Sequence, residues 1–275
     1  MERKKVYITV KTYPTISKKY DELVCTAGFL EDGSWIRLYP LPFRKLYNEQ
    51  KYKKYQWIEA DVEKSSKDYR SESYKVINRD TITVLNSGSN KVDWNERKKI
   101  VFQKEKIYTN LSEIIELTKK PVYKSLVIFK PTKIVDFSRE PTGRDWPKDT
   151  LEIIKSKRDQ YSLFQTPEEV MHDLKIVPKL PYVFKYQFQD DSGKKSNLMI
   201  EDWEIGMLYI NCLKNTQEDE SRALEKVKQQ CWEVFMKKDL YFFLGTRLMW
   251  HGKSQNPFSI VGVFYPPKNL QNELF

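Results

Sequence analysis

The sequence predicts an α+β protein with a β-rich N-terminal part and a mixed C-terminal part. Several segments of the N-terminal half alternate between apolar and polar residues, with the period of two that half-buried strands require. Prolines punctuate the middle of the chain, which is typical of a boundary between structural units. The last third carries two capped amphipathic helices followed by two apolar strands. These three observations lead to the predicted class.

The composition is that of a folded, basic protein. Forty per cent of the 275 residues are hydrophobic and 14% are aromatic, which is enough to form a core and argues against disorder. Lysine and arginine number 48 against 38 acidic residues, which gives a net charge of +10. This excess favours a polyanionic partner, although a lysine-rich solvated surface would give the same count.

The sequence also predicts the cellular compartment. The three cysteines are far apart and lie in apolar runs, as buried thiols of a reducing compartment do. The basic N-terminus lacks the apolar core and cleavage site of a signal peptide. No apolar run approaches the roughly 20 residues that span a bilayer. We therefore expect a cytoplasmic protein without a membrane partner.

Residues 1–137 are predicted to form the β-rich domain. Lys5–Thr12 and Tyr55–Glu63 alternate cleanly and are predicted to be half-buried strands. Val24–Arg44 is predicted to be a β-hairpin, because a Glu-Asp-Gly-Ser turn joins an apolar run to an alternating run that stops at Pro-Leu-Pro. The polar segment Lys64–Lys75 is predicted to be a loop.

Residues 138–181 are predicted to be a proline-punctuated connector with short helices, one of them over Pro167–Leu174. Residues 182–275 are predicted to be an α+β region with a helix pair and a C-terminal β-hairpin. The predicted elements of that region are a strand over Tyr182–Gln189, helices over Glu201–Leu213 and after Thr216, and antiparallel strands over Leu240–Leu244 and Phe258–Tyr265.

The second strand of the predicted hairpin presents a candidate nucleic-acid-binding face. Trp35, Arg37 and Tyr39 lie on the same side of that strand. Two rings around a guanidinium suit nucleotide binding, because bases stack on rings and phosphates pair with arginine. The structural alternative is that these side chains pack under a helix or pair across the sheet with Glu59 and Asp61. The predicted binding set also includes further basic and aromatic side chains, namely Arg44, Lys53, Trp57, Arg70 and Arg247.

A metal-dependent nuclease is an alternative hypothesis. Glu59, Asp61 and Glu63 share one strand face and could hold Mg²⁺ for phosphodiester cleavage, or they could simply pair with lysines on a solvated face. His251 lies in a loop with arginine, tryptophan and lysine, and it could grip a phosphate or act as a general acid. The histidines lack zinc-ligand spacing and no glycine-rich phosphate loop is present, so no metal or cofactor is predicted outside the nuclease hypothesis.

A third hypothesis is a protein–protein adaptor whose apolar C-terminal strands dock a partner in a larger complex. This hypothesis predicts a complex that forms without nucleic acid and is insensitive to salt. The sequence does not distinguish DNA from RNA as the partner of the nucleic-acid-binding hypothesis.

Two stretches resemble known prokaryotic families. Val24–Arg37, with its Cys-x-Ala-Gly, acidic turn and Trp-Ile-Arg, is similar to the opening of domains described as dual OB-containing. Tyr182–Tyr209, which contains Glu201-Asp202-Trp203-Glu204, resembles an uncharacterised family whose members carry cysteines and a histidine before the Asp-Trp-Glu. Gln189–Asn197 has none of these metal ligands. The first resemblance implies an OB-like barrel that binds single strands or oligonucleotides across its strand face. It also implies an accessory role in a prokaryotic antiviral or mobile-element system.

Overall fold

Five strands of the N-terminal region close into a barrel. The computed structural model describes residues 1–18, 21–85, 93–161 and 176–268. The barrel strands are β1 (Glu2–Lys11), β3 (Asp21–Leu30), β4 (Trp35–Leu41), β5 (Trp57–Lys64) and β6 (Ser73–Val76). They follow the order β1-β3-β4-β6-β5, and the pairing of β1 with β5 closes the ring. The barrel is OB-like, with a Greek-key order and a parallel β4–β6 pair, so the predicted class and the OB-like N-terminal part are confirmed.

The predicted hairpin is the β3–β4 pair. Phe29 lies opposite Trp35, and Ala27 lies opposite Arg37. Gly33 adopts φ +79° in the turn, a conformation that glycine reaches without steric cost. Short strands flank the barrel: β2 (Thr15–Ser17) pairs with β3, and β7 (Thr83–Val84) pairs with β5. The hairpin therefore supplies two neighbouring barrel strands whose outer faces are continuous.

One barrel strand lies where the sequence predicted only a loop. Strand β6 falls partly within Lys64–Lys75 and pairs with both β4 and β5, placing Tyr74 opposite Leu38. Its four residues are too few to show an alternating pattern. The strand is held by its neighbours, so its formation depends on tertiary pairing and not on local sequence.

The C-terminal region contributes two sheets. A four-stranded sheet has the order β14-β13-β9-β8, and a three-stranded sheet has the order β10-β11-β12. Their bounds are β8 (Ile107–Tyr108), β9 (Leu126–Phe129), β10 (Lys133–Pro141), β11 (Tyr182–Gln189), β12 (Lys195–Met199), β13 (Tyr241–Thr246) and β14 (Phe258–Phe264). Strands β13 and β14 are antiparallel, as the sequence predicted.

The four-stranded sheet is buried on both faces. Leu126 and Ile128 of β9 pack toward the barrel, whereas Val127 and Phe129 pack into the C-terminal core. Burial on two sides explains why β9 and β14 are continuously apolar instead of alternating. The adaptor hypothesis placed a partner on the apolar strands β13 and β14, but in the structure those strands are part of this chain's own core.

Five α-helices are described: α1 (Trp94–Val101), α2 (Leu111–Leu117), α3 (Lys148–Tyr161), α4 (Trp203–Asn215) and α5 (Glu220–Lys228). Helices α4 and α5 are the predicted pair, and α5 continues into a π-helical segment over Gln229–Val234. The predicted helix over Pro167–Leu174 lies outside the described residues. Within the described ranges, the helices are too short or too polar to cross a membrane.

A buried ion pair joins the barrel to the C-terminal region. The Lys54 Nζ lies 3.0 Å from the Asp202 carboxylate, and both side chains are almost fully buried. Asp202 also accepts hydrogen bonds from the Glu204 amide at the start of α4 and from the Val263 amide of β14. Removal of one partner of such a buried pair leaves an uncompensated charge, so the pair ties the segment before β5 to the start of α4 and to β14. The two regions therefore share one anchored interface.

Candidate nucleic-acid interface

The four-stranded sheet covers the part of the outer β3–β4 face that carries Phe29 and Trp35. The Trp35 side chain lies beneath this sheet and is only 4% exposed. Its ring centroid is 4.0 Å from that of Phe29 and 5.5 Å from that of Phe243, a residue of β13. Because neither face of the Trp35 ring is open to a base, Trp35 is a core residue and does not belong to a binding surface. The core cluster that contains Trp35 includes residues of the sheet and Val101 of helix α1, so the packing alternative applies to Trp35, whereas the β5 acids pair with other residues.

The part of this face that carries Arg37 and Tyr39 lines a cleft. The cleft has a volume of about 910 Å³ and separates the barrel from the C-terminal region. Four of the sequence-predicted binding residues, Arg37, Tyr39, Arg70 and Arg247, line it. They come from β4, the β5–β6 loop and the β13–β14 loop. The structure therefore brings half of the predicted set to one place.

Arg37 gives the cleft a buried positive charge. Its Nη1 donates to the Thr246 carbonyl at 3.1 Å, and its Nη2 donates to the Ser125 carbonyl at 3.2 Å and to the Ser125 hydroxyl at 3.0 Å. The side chain is 3% exposed and forms no ion pair within the described part of the chain. Burial and the neighbouring Arg70 charge lower its pKa. The Glu72 carboxylate, which accepts from the same Ser125 hydroxyl, and the Asp68 carboxylate act in the opposite direction, so the chain itself partly compensates the buried charge.

Arg70 is held rigidly by Asp68. Its Nε and Nη2 donate to the two carboxylate oxygens of Asp68 at 2.8 Å and 2.5 Å, and its Nη1 donates to the Thr246 carbonyl. This bidentate pair neutralises most of the Arg70 charge. Glu72 accepts hydrogen bonds from the Ser125 amide and hydroxyl. The β5–β6 loop thus anchors β9 and β13, and Arg70 serves mainly to shape the cleft.

Arg247 is the exposed cation of the cleft. Its side chain is about half exposed and pairs with Glu201, which also accepts from the Ser259 hydroxyl at 3.0 Å. Four basic side chains, Arg37, Arg70, Lys179 and Arg247, line the cleft beside one acidic side chain, Glu201, among the described residues. Asp68 pairs with Arg70, and Glu201 pairs with Arg247. The excess positive charge of the lining therefore rests on Arg37 and Lys179, which have no ion-pair partner in the part of the chain that the structure describes.

Aromatic side chains that the sequence analysis did not select also line the cleft. They are Tyr13, Trp146 and Tyr182. The Tyr13 hydroxyl donates to the Pro178 carbonyl at 2.8 Å, and the Trp146 Nε1 donates to the Val177 carbonyl at 2.8 Å. Tyr13 is buried and packs against Trp203, so it shapes the cleft, whereas the anchored and partly exposed Trp146 ring would lose little entropy if a base stacked on it. Their one sequence signal is that each adjoins a proline.

The other predicted binding residues lie elsewhere. Arg44 pairs with Glu22 at 2.7 Å, and Lys53 is an exposed residue of the segment that precedes β5. Trp57 packs on Tyr7 with a ring separation of 5.1 Å and lies under the Lys5 ammonium. None of the three is among the residues that line the cleft.

The three acidic residues of β5 are engaged by basic side chains. Arg3 donates to Glu59 and to Asp61, each at 3.1 Å, and Lys75 lies 3.4 Å from Glu63. This is the solvated, charge-paired strand face that the sequence analysis weighed against a metal site. Across the described ranges, no group of three or more histidine, cysteine or acidic side chains is arranged to hold a metal ion.

His251 is fully buried behind the cleft. Its Nδ1 is 2.8 Å from the Thr246 hydroxyl, and its Nε2 has no hydrogen-bond partner. Burial, with the nearby charge of Arg70, lowers the His251 pKa to about 4. The imidazole is therefore neutral at physiological pH and has no solvent access, so it cannot deliver a proton to a ligand in the cleft without a rearrangement.

Two protein families match the chain. The model of a domain of unknown function, DUF8757, matches residues 108–275, which is more than half of the chain. The chain belongs to the DUF8757 family. A second domain of unknown function, DUF8758, matches residues 2–103, which include the barrel. No curated protein matches the chain. Because Tyr39 lies in the DUF8758 match and Arg247 in the DUF8757 match, both regions contribute to the cleft.

Proposed function

We propose that the protein binds single-stranded nucleic acid, either DNA or RNA, in the cleft between the barrel and the DUF8757 region. The observation that carries this proposal is the convergence of Arg37, Tyr39, Arg70 and Arg247 on one cleft. Each of these residues was a candidate on chemical grounds alone, and the fold gathers them from separate segments. The OB-like architecture supports the same class of ligand by analogy.

The aromatic lining of the site favours a single strand over a duplex, because unpaired bases are free to stack on aromatic rings. Tyr39 of the barrel and Trp146 of the C-terminal region both line the cleft and offer stacking surfaces. In this proposal, Arg247, whose side chain is about half exposed, contacts phosphate, and buried Arg37 contributes a fixed positive potential.

The biological setting is part of the same proposal. A small basic protein that binds single strands would suit an accessory role in a prokaryotic antiviral or mobile-element system, where it could work within a larger protein complex. This setting is supported by the resemblance of Val24–Arg37 to dual OB-containing domains and by the charge of the chain.

Fluorescence polarisation with labelled single- and double-stranded oligonucleotides across a salt series tests the proposal. We expect single strands to bind and their affinity to fall with salt, because bound phosphates release counterions. Arg247→Ala should weaken binding and reduce the magnitude of the salt slope by about 1, as the loss of one phosphate contact does. Tyr39→Ala should weaken binding by roughly 1–3 kcal/mol if a base stacks on this ring.

Arg3→Ala is the matched control for Arg247→Ala. It removes the same charge from an exposed, ion-paired arginine that does not line the cleft. If Arg247→Ala and Arg3→Ala weaken binding equally, the effect of Arg247→Ala is only a general effect of net charge. The absence of binding to every oligonucleotide at low salt would refute the proposed function.

A further inference from the structure

Two large apolar side chains are exposed directly beside the cleft. Arg247, Leu248 and Met249 of the β13–β14 loop line the cleft. In this loop, Met249 is 61% exposed, and the next residue, Trp250, is 50% exposed. Exposed apolar side chains that lie next to each other, bordered by polar ones, mark interaction surfaces more often than isolated ones do. The loop therefore extends the apolar surface of the cleft outward.

A tyrosine on the neighbouring loop is exposed but held in place. Tyr69 is 48% exposed, yet its hydroxyl donates to the His251 carbonyl at 3.0 Å. Its ring centroid lies 5.1 Å from that of Tyr123 and 5.6 Å from that of His251. Because its position is already fixed, a partner that stacks on this ring would meet little entropic cost.

The backbone links the segments that carry these side chains. The Ser71 amide donates to the Tyr123 carbonyl at 3.2 Å, which ties the β5–β6 loop to the segment before β9. Tyr123 adopts φ +52°, an uncommon conformation for a residue other than glycine. The Tyr69 ring contacts both Tyr123 and His251, and His251 directly follows Met249 and Trp250 in the chain, so we group Tyr69, Tyr123, Met249 and Trp250 as the aromatic rim.

Basic residues neighbour the aromatic rim along the chain. Lys67, Lys120 and Lys253 are exposed, and each lies within three residues of a rim residue. Lys119 is also exposed and pairs with Glu116 at 2.7 Å. Lysines interleaved with flat side chains complement a polyanion that carries bases, whereas a purely apolar partner would gain little from them.

We infer that the aromatic rim continues the binding track, so that a single strand leaving the cleft stacks further bases on Tyr69 and Trp250. This inference rests on the proposed function and defines its ligand as a strand of several nucleotides, not a mononucleotide or a single flipped base. OB folds engage roughly 4–16 nucleotides of single strand. The cleft, at about 910 Å³, is within the size range of a small-molecule site. A longer strand would therefore need the adjoining surface.

The experiment compares an octanucleotide with a dinucleotide of the same base, using the full chain and either competition binding or calorimetry. For the wild type, we expect the octanucleotide to bind at least about tenfold more tightly than the dinucleotide. Trp250→Ala and Tyr69→Ala should each weaken octanucleotide binding by about tenfold and leave dinucleotide binding unchanged. Tyr47→Ala is the matched control, because Tyr47 is 55% exposed and belongs neither to the cleft lining nor to the rim.

The outcomes separate this inference from the proposed function. Equal wild-type affinities for the two oligonucleotides, or Trp250→Ala and Tyr69→Ala variants that bind the octanucleotide like Tyr47→Ala, would overturn the inference while leaving the cleft as a binding site. Failure of the wild type to bind either oligonucleotide would overturn the proposed function itself. Because all three substituted side chains are substantially exposed, we expect the variants to fold like the wild type.

Discussion

Replacing Trp35 should lower stability greatly while leaving the binding site in place. A tryptophan side chain buries roughly 200 Å², which corresponds to about 5 kcal/mol at 25 cal/mol per Å². Part of this is retained by the Cβ of alanine, and measured losses for such core substitutions are about 3–5 kcal/mol. The Nε1 of Trp35 is buried without a hydrogen-bond partner, so the substitution removes packing and no hydrogen bond. We therefore expect Trp35→Ala to lower the free energy of unfolding by about 3–5 kcal/mol.

Urea unfolding followed by circular dichroism measures this loss, and Trp250→Ala is the natural control. Trp250 is 50% exposed, so its loss should change stability by no more than about 0.5 kcal/mol. Trp35→Phe keeps an aromatic ring in the same site and provides a milder variant if Trp35→Ala does not fold. Folded Trp35→Phe should bind oligonucleotides like the wild type. A Trp35→Ala loss below about 1 kcal/mol, or a Trp35→Phe variant that is stable but does not bind, would refute the placement of Trp35 in the core.

Three further predictions follow from buried or unbalanced charges. The His251 pKa is about 4 in the folded chain, whereas the ordinary value is 6.5. Between these values the unfolded chain binds the proton and the folded chain does not, so the free energy of unfolding should fall as the pH drops from 6.5 towards 4. His251→Gln should make the free energy of unfolding less dependent on pH in this range, as measured by urea unfolding at a series of pH values. Asp202→Ala leaves Lys54 buried without its closest carboxylate and should lower the free energy of unfolding by about 3–5 kcal/mol. Adding Lys54→Met to the Asp202→Ala variant should restore part of this loss. Glu201→Gln removes the acidic side chain from the cleft lining and should tighten single-strand binding several-fold in polarisation titrations.

Each of these predictions has a contradicting result. A His251→Gln variant whose stability depends on pH as steeply as that of the wild type would show that His251 is protonated similarly in both states. An Asp202→Ala loss below about 1 kcal/mol would mean that water reaches Lys54. A Glu201→Gln variant that binds single strands less tightly than the wild type would indicate that the ion pair with Glu201 positions Arg247 for its ligand.

The alternation in Tyr55–Glu63 follows directly from strand β5, which has one face on a core. The prediction of a half-buried strand over Lys5–Thr12 was wrong, because Val6–Val10 of β1 are buried on both faces. The hairpin strands likewise contribute residues to two core clusters, one on each face. Strand β6 escapes prediction because four residues held between two neighbours carry no pattern of their own. The apolar strands β9, β13 and β14 are predictable as strands, but their burial on both faces depends on which layers they separate.

The candidate site could be predicted by residue type but not by position. Arg37, Tyr39, Arg70 and Arg247 have suitable chemistry, yet only the fold brings the loops that carry Arg70 and Arg247 beside β4. Trp35 has the same chemistry and the same strand face as Tyr39. The two differ because the sheet containing Phe243 covers one end of that face, and no local pattern reveals a contact so distant in sequence.

Photo-crosslinking tests the central claim, that single strands bind in the cleft, most directly. An oligonucleotide with a photoreactive pyrimidine is irradiated with the full chain, and mass spectrometry identifies the crosslinked residues. We predict crosslinks to aromatic residues of the cleft, with Tyr39 and Trp146 foremost, and the loss of these crosslinks at high salt. Crosslinks confined to the opposite barrel surface around Trp57, with none in the cleft, would contradict the account.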